Sequence, residues 1–137
     1  MVPFTYSAVT LAASSRIDPE PSEGTWDAVS AVRWHDGDDL RWAIRDWAAR
    51  LGVQVRMITI RRMRTKWASV STAGRLTMNE ELLGLPRDLG EYVIVHELVH
   101  LVVPNHGVVF KSLLSAYLPD WQQRARRLNE IGATGAR

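Results

Sequence analysis

The sequence predicts a single α+β domain in which one helix, a small sheet and three further helices follow one another along the chain. The chain has 137 residues, close to the usual size of one domain, and its 46% hydrophobic and 23% charged residues are ordinary for a globular protein. Its apolar residues recur first at helical spacing, then in short strand-like runs, then at helical spacing again. That order is typical of an α+β fold.

Three absences narrow the functional classes. The sequence has no cysteine, so disulfides and thiolate ligands are excluded and any metal must be held by His, Asp or Glu. No apolar run approaches the roughly 20 residues that span a bilayer, and the N-terminus lacks the positive region of a signal peptide. We therefore expect a cytoplasmic protein without a membrane partner, of an oligomeric state that the sequence does not predict.

Basic residues form two clusters although the net charge is only +2. Either a nucleic-acid-binding patch or the solvated faces of a strand and a helix would explain them, and we favour the second. The clusters are Arg56, Arg61, Arg62, Arg64 and Lys66, and then Arg124, Arg126 and Arg127.

Residues 1–25 contain three prolines and no sustained apolar period, which predicts a poorly ordered arm before a domain of residues 26–137. The first element is an amphipathic helix that begins near Asp38 and ends at Gly52, a residue suited to a left-handed stop. Its apolar stripe consists of Leu40, Ala43, Ile44, Trp47, Ala48 and Leu51.

Strand-forming residues dominate 53–63, 67–71 and 75–78, with Thr72-Ala73-Gly74 as a turn. We expect a small antiparallel or mixed sheet of about three strands, joined by hairpins.

Three helices follow the sheet. Pro86 opens the first and Pro104 closes it. Because 89–103 is almost wholly apolar, this helix must be buried on most sides. The next helix carries Phe110, Leu113, Leu114, Tyr117 and Leu118 on one face, and after Pro119 the last carries Trp121, Ala125 and Leu128.

The buried helix contains the chemistry-bearing motif His96-Glu97-x-x-His100. Histidines four apart project from the same helix face, so both imidazoles can reach one ion at the usual Zn–N distance of about 2.0–2.1 Å. Glu97 lies beside the first ligand, where it can accept a proton from a metal-bound water. The alternative is a chance match with core histidines. We favour the metal site, because two His and a Glu in an apolar helix are costly without compensation.

A catalytic zinc needs a third protein ligand, and His106 stands just beyond the helix-ending Pro104. The alternatives are that His106 caps a helix at the surface, or that Glu80, Glu81 or Glu91 ligates instead. We favour His106. The interval from His96 to His106 equals that of the metzincins, although Val103 occupies their glycine position.

Several separate blocks between residues 38 and 130 resemble the YgjP-like metallopeptidases, relatives of the SprT-like proteins. This resemblance implies a zincin-like fold packed around the active-site helix, Zn²⁺ held by His96, His100 and His106, and Glu97 as catalytic acid/base. The blocks are Arg64-Thr65-Lys66-Trp67-Ala68-Ser69, Gly74-x-Leu76-x-Met78-Asn79, 92–101, Asn105-His106 with Phe110, and Tyr117-x-Pro119-Asp120-Trp121.

The chain departs from the family in two places. Trp67-Ala68-Ser69-Val70 stands where the family has Trp-Gly-Ser-Cys, and the N-terminal β-rich segment of longer members is absent or reduced to the arm. Both departures leave the zinc site intact and weaken any inference about substrate. An edge strand beside the cleft would pair with an extended peptide, and Trp67 lines that cleft or belongs to the core. Asn79 and Tyr117 are left unassigned.

We therefore expect a zinc-dependent hydrolase that cleaves peptides or proteins by way of a water activated by Glu97. One alternative is hydrolysis of a nucleotide phosphoanhydride at the same site, since fold and zinc do not fix the substrate. The other is a non-catalytic module in which zinc braces the helices on DNA or a protein partner.

Overall fold

The computed structural model describes residues 32–135 of the chain. The predicted arm, residues 1–25, lies outside the described residues. Four helices and three strands form the described part, and a short 3-10 helix, Glu80–Gly84, links the sheet to the second helix. The elements are α1 (Gly37–Leu51), β1 (Met57–Arg61), β2 (Ala68–Val70), β3 (Arg75–Asn79), α2 (Arg87–Val99), α3 (Val108–Tyr117) and α4 (Trp121–Gly135). The predicted α+β class is confirmed.

Helix α1 begins and ends as its sequence predicts. The side chain of Asp36 accepts a hydrogen bond of 3.0 Å from the backbone N–H of Asp39, which satisfies one of the open donors of the first turn. Gly52 ends the helix in the left-handed region, at φ 73°. Leu40 and Ile44 on the apolar stripe are fully buried, so the predicted face is the one that packs on the core.

The sheet is mixed, with strand order β1-β3-β2. The turn at Gly74, where φ is 86°, joins β2 and β3 as an antiparallel hairpin. The expectation of hairpins throughout is wrong for β1, which pairs in parallel with β3 rather than with its neighbour in sequence. Leu76 and Met78 of β3 are buried, and burial of this kind favours the central position in the sheet.

Hydrogen bonds from the side chain of Asn79 hold the loop between β1 and β2 at the end of β3. Its side chain is fully buried, and its amide donates hydrogen bonds to the carbonyls of Met63 at 3.0 Å and Lys66 at 2.9 Å. Its side-chain oxygen accepts from the N–H of Glu81 at 3.0 Å. Asn79 is therefore a structural residue that fixes the position of this loop, which contains Arg62, Arg64 and Lys66.

Helix α2 lies at the centre of the domain, in contact with α1, α3, α4, β2 and the 3-10 helix. Ten of its residues are buried. Two ion pairs join its first turn to its neighbours: Asp88 accepts two hydrogen bonds from Arg127 on α4, at 2.6 and 3.1 Å, and Arg87 pairs with Asp39 on α1 at 2.8 Å. The central position agrees with its nearly continuous apolar sequence.

Helix α2 ends earlier than Pro104 indicates. Its last helical residue is Val99, whose carbonyl then accepts hydrogen bonds from the N–H groups of Val102 and Val103, both at 2.8 Å. His100 remains in the helical region, at φ −64° and ψ −20°, so its side chain keeps the face of His96. Within residues 32–135, none of the helices has the length and apolar character needed to cross a bilayer.

The close approach of α2 to Trp34 predicts the outcome of a glycine substitution. A Cβ at Gly90 would lie 2.6 Å from Nε1 of Trp34, whereas a Cβ at Gly84 would meet nothing within 4 Å. Gly90→Ala should therefore lower the free energy of unfolding by about 1–3 kcal/mol, the usual cost of overpacking. Gly84→Ala, the matched control, should leave it almost unchanged in the same urea titration. Equal stability of the two variants would contradict the packing described.

Candidate metal centre

Three histidines converge at the end of α2. One ring nitrogen from each of His96, His100 and His106 lies within 4.8 Å of the other two. The ring centroids are 5.1 Å apart for His96 and His100, 5.4 Å for His96 and His106, and 4.5 Å for His100 and His106. We call this group the histidine triad.

The backbone after α2 explains how His106 reaches the other two. The α-helix ends at Val99, residues 100–102 form a turn, and the chain bends at Asn105. The side-chain oxygen of Asn105 accepts a hydrogen bond of 3.1 Å from the N–H of Gly107, which closes the turn around His106. Helix α3 then begins at Val108.

The carboxylates considered as third ligands lie elsewhere. Glu80 and Glu81 are exposed on the 3-10 helix. Glu91 is engaged by two arginines, Arg124 at 3.7 Å and Arg87 at 4.0 Å. None of the three belongs to the cluster of potential ligands in the described part of the chain.

Phe110 forms an apolar support for the triad. Its ring centroid lies 5.0 Å from that of His96, 4.7 Å from that of His100 and 4.9 Å from that of His106. The side chain is 2% exposed and comes from the first turn of α3. Packing of one aromatic ring against all three imidazoles restricts their rotamers, which holds the nitrogens in a common geometry.

Burial keeps the three imidazoles neutral. Desolvation lowers the pKa of His96 well below its ordinary value of 6.5, and the nearby His100 and His106 act in the same direction. Desolvation is also the main cause that lowers the pKa of His100, to about 4, although hydrogen bonding to the backbone of Val103 and Pro104 offsets part of the effect. The pKa of His106 is lowered by desolvation and by Lys111. Neutral imidazole is the form that binds metals.

Glu97 is a buried carboxyl next to the triad. It is fully buried, and within residues 32–135 neither of its oxygens has a hydrogen-bond partner. One of these oxygens lies 3.7 Å from Nδ1 of His96. Desolvation raises the pKa of Glu97 well above its ordinary value of 4.5, and the positive charge of Lys66 opposes that rise. A buried carboxyl with a raised pKa is a common feature of catalytic acids and bases.

The donor set fits a metal ion. Three neutral imidazoles are ligands that zinc accepts in catalytic sites, where a fourth position stays open for water or substrate. Hydrogen bonding of His100 to backbone groups is the arrangement that orients metal-binding histidines in proteins. The arrangement of three such histidines with an adjacent buried carboxyl has the chemistry of a metal-dependent hydrolase.

Other residues singled out from sequence lie outside the triad. Trp67 is 3% exposed and belongs to the core, where an added Cβ at Gly132 of α4 would meet its Nε1 at 3.7 Å. Tyr117 packs edge-on against Trp47, with ring centroids 6.4 Å apart.

Sequence reasoning did not assign three residues that act on the site. The positive charge of Lys66 lowers the pKa of Glu97, and that of Lys111 lowers the pKa of His106. Tyr92 is buried on α2, one turn before His96. For Tyr92 the signal was present, because a residue four positions before His96 shares its helix face. The two lysines carried no such signal, since only the tertiary structure brings them near.

The fold and the triad together define the class of the protein as a zincin-like metallohydrolase. A family model described as the YgjP-like metallopeptidase domain matches residues 30–131. The chain therefore belongs to the YgjP-like metallopeptidase family. No curated protein matches the sequence significantly.

Two solved structures support the fold. The metallopeptidase zymogen jannalysin of Methanocaldococcus jannaschii is 25% identical, with a TM-score of 0.59 over 69% of this chain and 96% of that one. The metallopeptidase zymogen abylysin of Pyrococcus abyssi is 22% identical, with a TM-score of 0.59 over 72% of this chain and 96% of that one. The predicted zincin-like fold is confirmed.

The pKa of His100 predicts how the metal-free protein responds to acid. This pKa is about 4, below the ordinary 6.5, so the folded state binds fewer protons at this group than the unfolded chain between pH 6.5 and 4. The free energy of unfolding should therefore fall as the pH is lowered through that window. The raised pKa of Glu97 acts in the opposite sense, because it makes the folded protein more stable as the pH falls.

Comparing the wild type with His100→Gln separates the contribution of His100 to the pH dependence of stability from that of Glu97. Urea titrations in the presence of a chelator, at pH 7, 6 and 5, should give a smaller loss of stability on acidification for the variant than for the wild type. Identical pH dependence of the two proteins would contradict the lowered pKa of His100.

Proposed function

We propose that this protein is a zinc-dependent peptidase in which His96, His100 and His106 bind the metal and Glu97 transfers protons. The convergence of three histidine nitrogens within 4.8 Å, beside a buried carboxyl, is the observation that carries the proposal. Membership of a metallopeptidase family supports it. Zinc is the proposed metal because three imidazoles suit it, although such ligands also accept other divalent ions.

The proposed chemistry divides between metal and protein. Zinc bound to the triad would polarise the scissile carbonyl and lower the pKa of the attacking water. Glu97 takes a proton from that water and later delivers it to the leaving amine. Burial favours this role, because it raises the pKa of Glu97 well above its ordinary value, which makes the carboxylate a stronger base.

Metal content tests the proposed ligands. Elemental analysis of the purified protein should find about one zinc per chain, and His106→Ala should lose it or bind it much more weakly. His35→Ala is the matched control, because His35 is exposed and outside the triad, and this variant should retain the metal. A wild-type protein that remains metal-free after zinc is added would mean that the histidines serve only the core.

Activity tests the role of Glu97. Glu97→Gln should keep zinc and lower peptide hydrolysis by about two to four orders of magnitude, because an amide of the same shape does not accept the proton. Its stability should not fall, since the substitution removes a buried ionisable group. The exposed Glu80→Gln serves as control and should hydrolyse the same peptides at the wild-type rate. Full activity of Glu97→Gln would show that another group is the base.

A further inference from the structure

The three strands and their connections carry charge of one sign. Residues 53–79 contain no acidic residue, and every acidic residue of the described chain lies before or after this segment. A sheet with only positive charges gives its side of the domain a positive potential, although the net charge of the chain is only +2. The basic residues of the segment are Arg56, Arg61, Arg62, Arg64, Lys66 and Arg75.

The arginines of the helices and those of the sheet differ in their partners. Carboxylates of the helical part of the domain form ion pairs with Arg50, Arg87, Arg124 and Arg127. Within residues 32–135, by contrast, no carboxylate forms an ion pair with Arg61, Arg62, Arg64 or Arg75. Ion pairs inside the fold therefore account for much of the second basic cluster of the sequence, but for none of these four residues.

The outer face of the sheet combines positive charge with a row of hydroxyl groups. Leu76 and Met78 of β3 are buried in the core that includes α2, so Arg75 and Thr77, which alternate with them, lie on the opposite face. Thr77 stands in register with Thr59 of β1 and with Ser69 of β2. The three hydroxyl side chains thus cross the middle of the outer face.

Four exposed arginines surround this row. Arg61 ends β1 on the same face as Thr59, because the two are two positions apart. Arg62 and Arg64 are exposed in the loop that follows directly. We call the four arginines and the three hydroxyl residues the basic face; its members are Thr59, Arg61, Arg62, Arg64, Ser69, Arg75 and Thr77.

The spacing of Arg61 and Arg75 matches the dimensions of a nucleic-acid duplex. Arg75 pairs with Met57, which lies four positions before Arg61 on β1. At about 3.3 Å per residue along a strand and about 4.8 Å between strands, the two arginines are about 14 Å apart. The major groove of duplex DNA is about 12 Å wide. The two guanidinium groups can therefore reach phosphates on the two sides of that groove.

The side chains of the basic face suit phosphate groups. Guanidinium groups bind phosphate with two parallel hydrogen bonds, and hydroxyls donate to phosphate oxygens. A lipid surface would also require apolar side chains that insert between the lipids, and within residues 53–79 only Met57 is a large apolar side chain that is exposed. Single strands bind by stacking on aromatic rings, and the only aromatic residue of this segment, Trp67, is buried.

We propose that the basic face binds the phosphate backbone of double-stranded nucleic acid. Its contacts are with phosphates, which carry no sequence information, so binding is independent of base sequence. The proposal goes beyond the peptidase function and does not depend on it, because none of the residues of the basic face belongs to the metal centre.

Salt-dependent binding of the full chain to duplex DNA tests the proposal. The probe is a labelled duplex of about 20 base pairs and mixed sequence, followed by fluorescence anisotropy between about 50 and 200 mM NaCl. We expect the logarithm of the binding constant to fall linearly with the logarithm of the salt concentration. Each phosphate contact contributes about −0.9 to the slope, so four arginines predict a slope of about −3.6.

Variants assign the binding to the basic face. Arg61→Gln and Arg75→Gln should each weaken binding about fivefold and make the salt slope less steep by about 0.9. Arg61→Lys keeps the charge and should retain most of the affinity. Arg50→Gln is the matched control, because it removes the same charge from an exposed arginine that pairs with Asp46 at 2.9 Å, and it should bind like the wild type. A urea titration establishes that each variant is folded.

Four results would overturn the proposal. The first is unchanged binding by both Arg61→Gln and Arg75→Gln, and the second is an equal loss in Arg50→Gln, which would leave net charge as the cause. The third is equal or tighter binding of a single strand of the same sequence. The fourth is equal or tighter binding of polyglutamate or of vesicles that contain phosphatidylserine, which would assign the face to an acidic polypeptide or to a membrane surface. None of these results bears on the metal centre.

Discussion

Burial of two imidazoles and a carboxyl on one apolar helix is the constraint on which the rest of the structure depends. His96 and Glu97 are almost completely buried, and in such surroundings ionised forms are strongly disfavoured. The domain meets this constraint by keeping the histidines neutral and by raising the pKa of the carboxyl. Neutral imidazoles are the form that binds metals, and a raised pKa is common in catalytic carboxyls, so the desolvation that is costly for folding suits the proposed function.

The surrounding elements hold α2 in place, and the segment that follows it supplies the third histidine of the triad. Ion pairs at its first turn fix it against α1 and α4, while its other end unwinds so that the chain turns back at Pro104 and returns His106 to the triad. Phe110 then packs against all three rings. Rigidity at one end of the helix and a tight reversal at the other together place three nitrogens around one point.

The positive charges near the site come from parts of the chain that are far apart in sequence. Asn79 fixes the position of the loop that ends at Lys66, and Lys111 lies in the first turn of α3. The basic cluster of residues 56–66 therefore has a consequence beyond solubility, because one of its members acts on the proposed base.

The sequence by itself determined the α+β class, the bounds of α1, the buried nature of α2 and the pairing of His96 with His100. These features follow from periodicity and from spacing within one helix, which are local properties. Only the tertiary structure decided that β1 pairs in parallel with β3, that Trp67 belongs to the core, and that Asn79 fixes a loop. It also decided which residues approach the triad from other elements. Contacts between segments distant in sequence depend on how whole elements pack, and no local pattern records that packing.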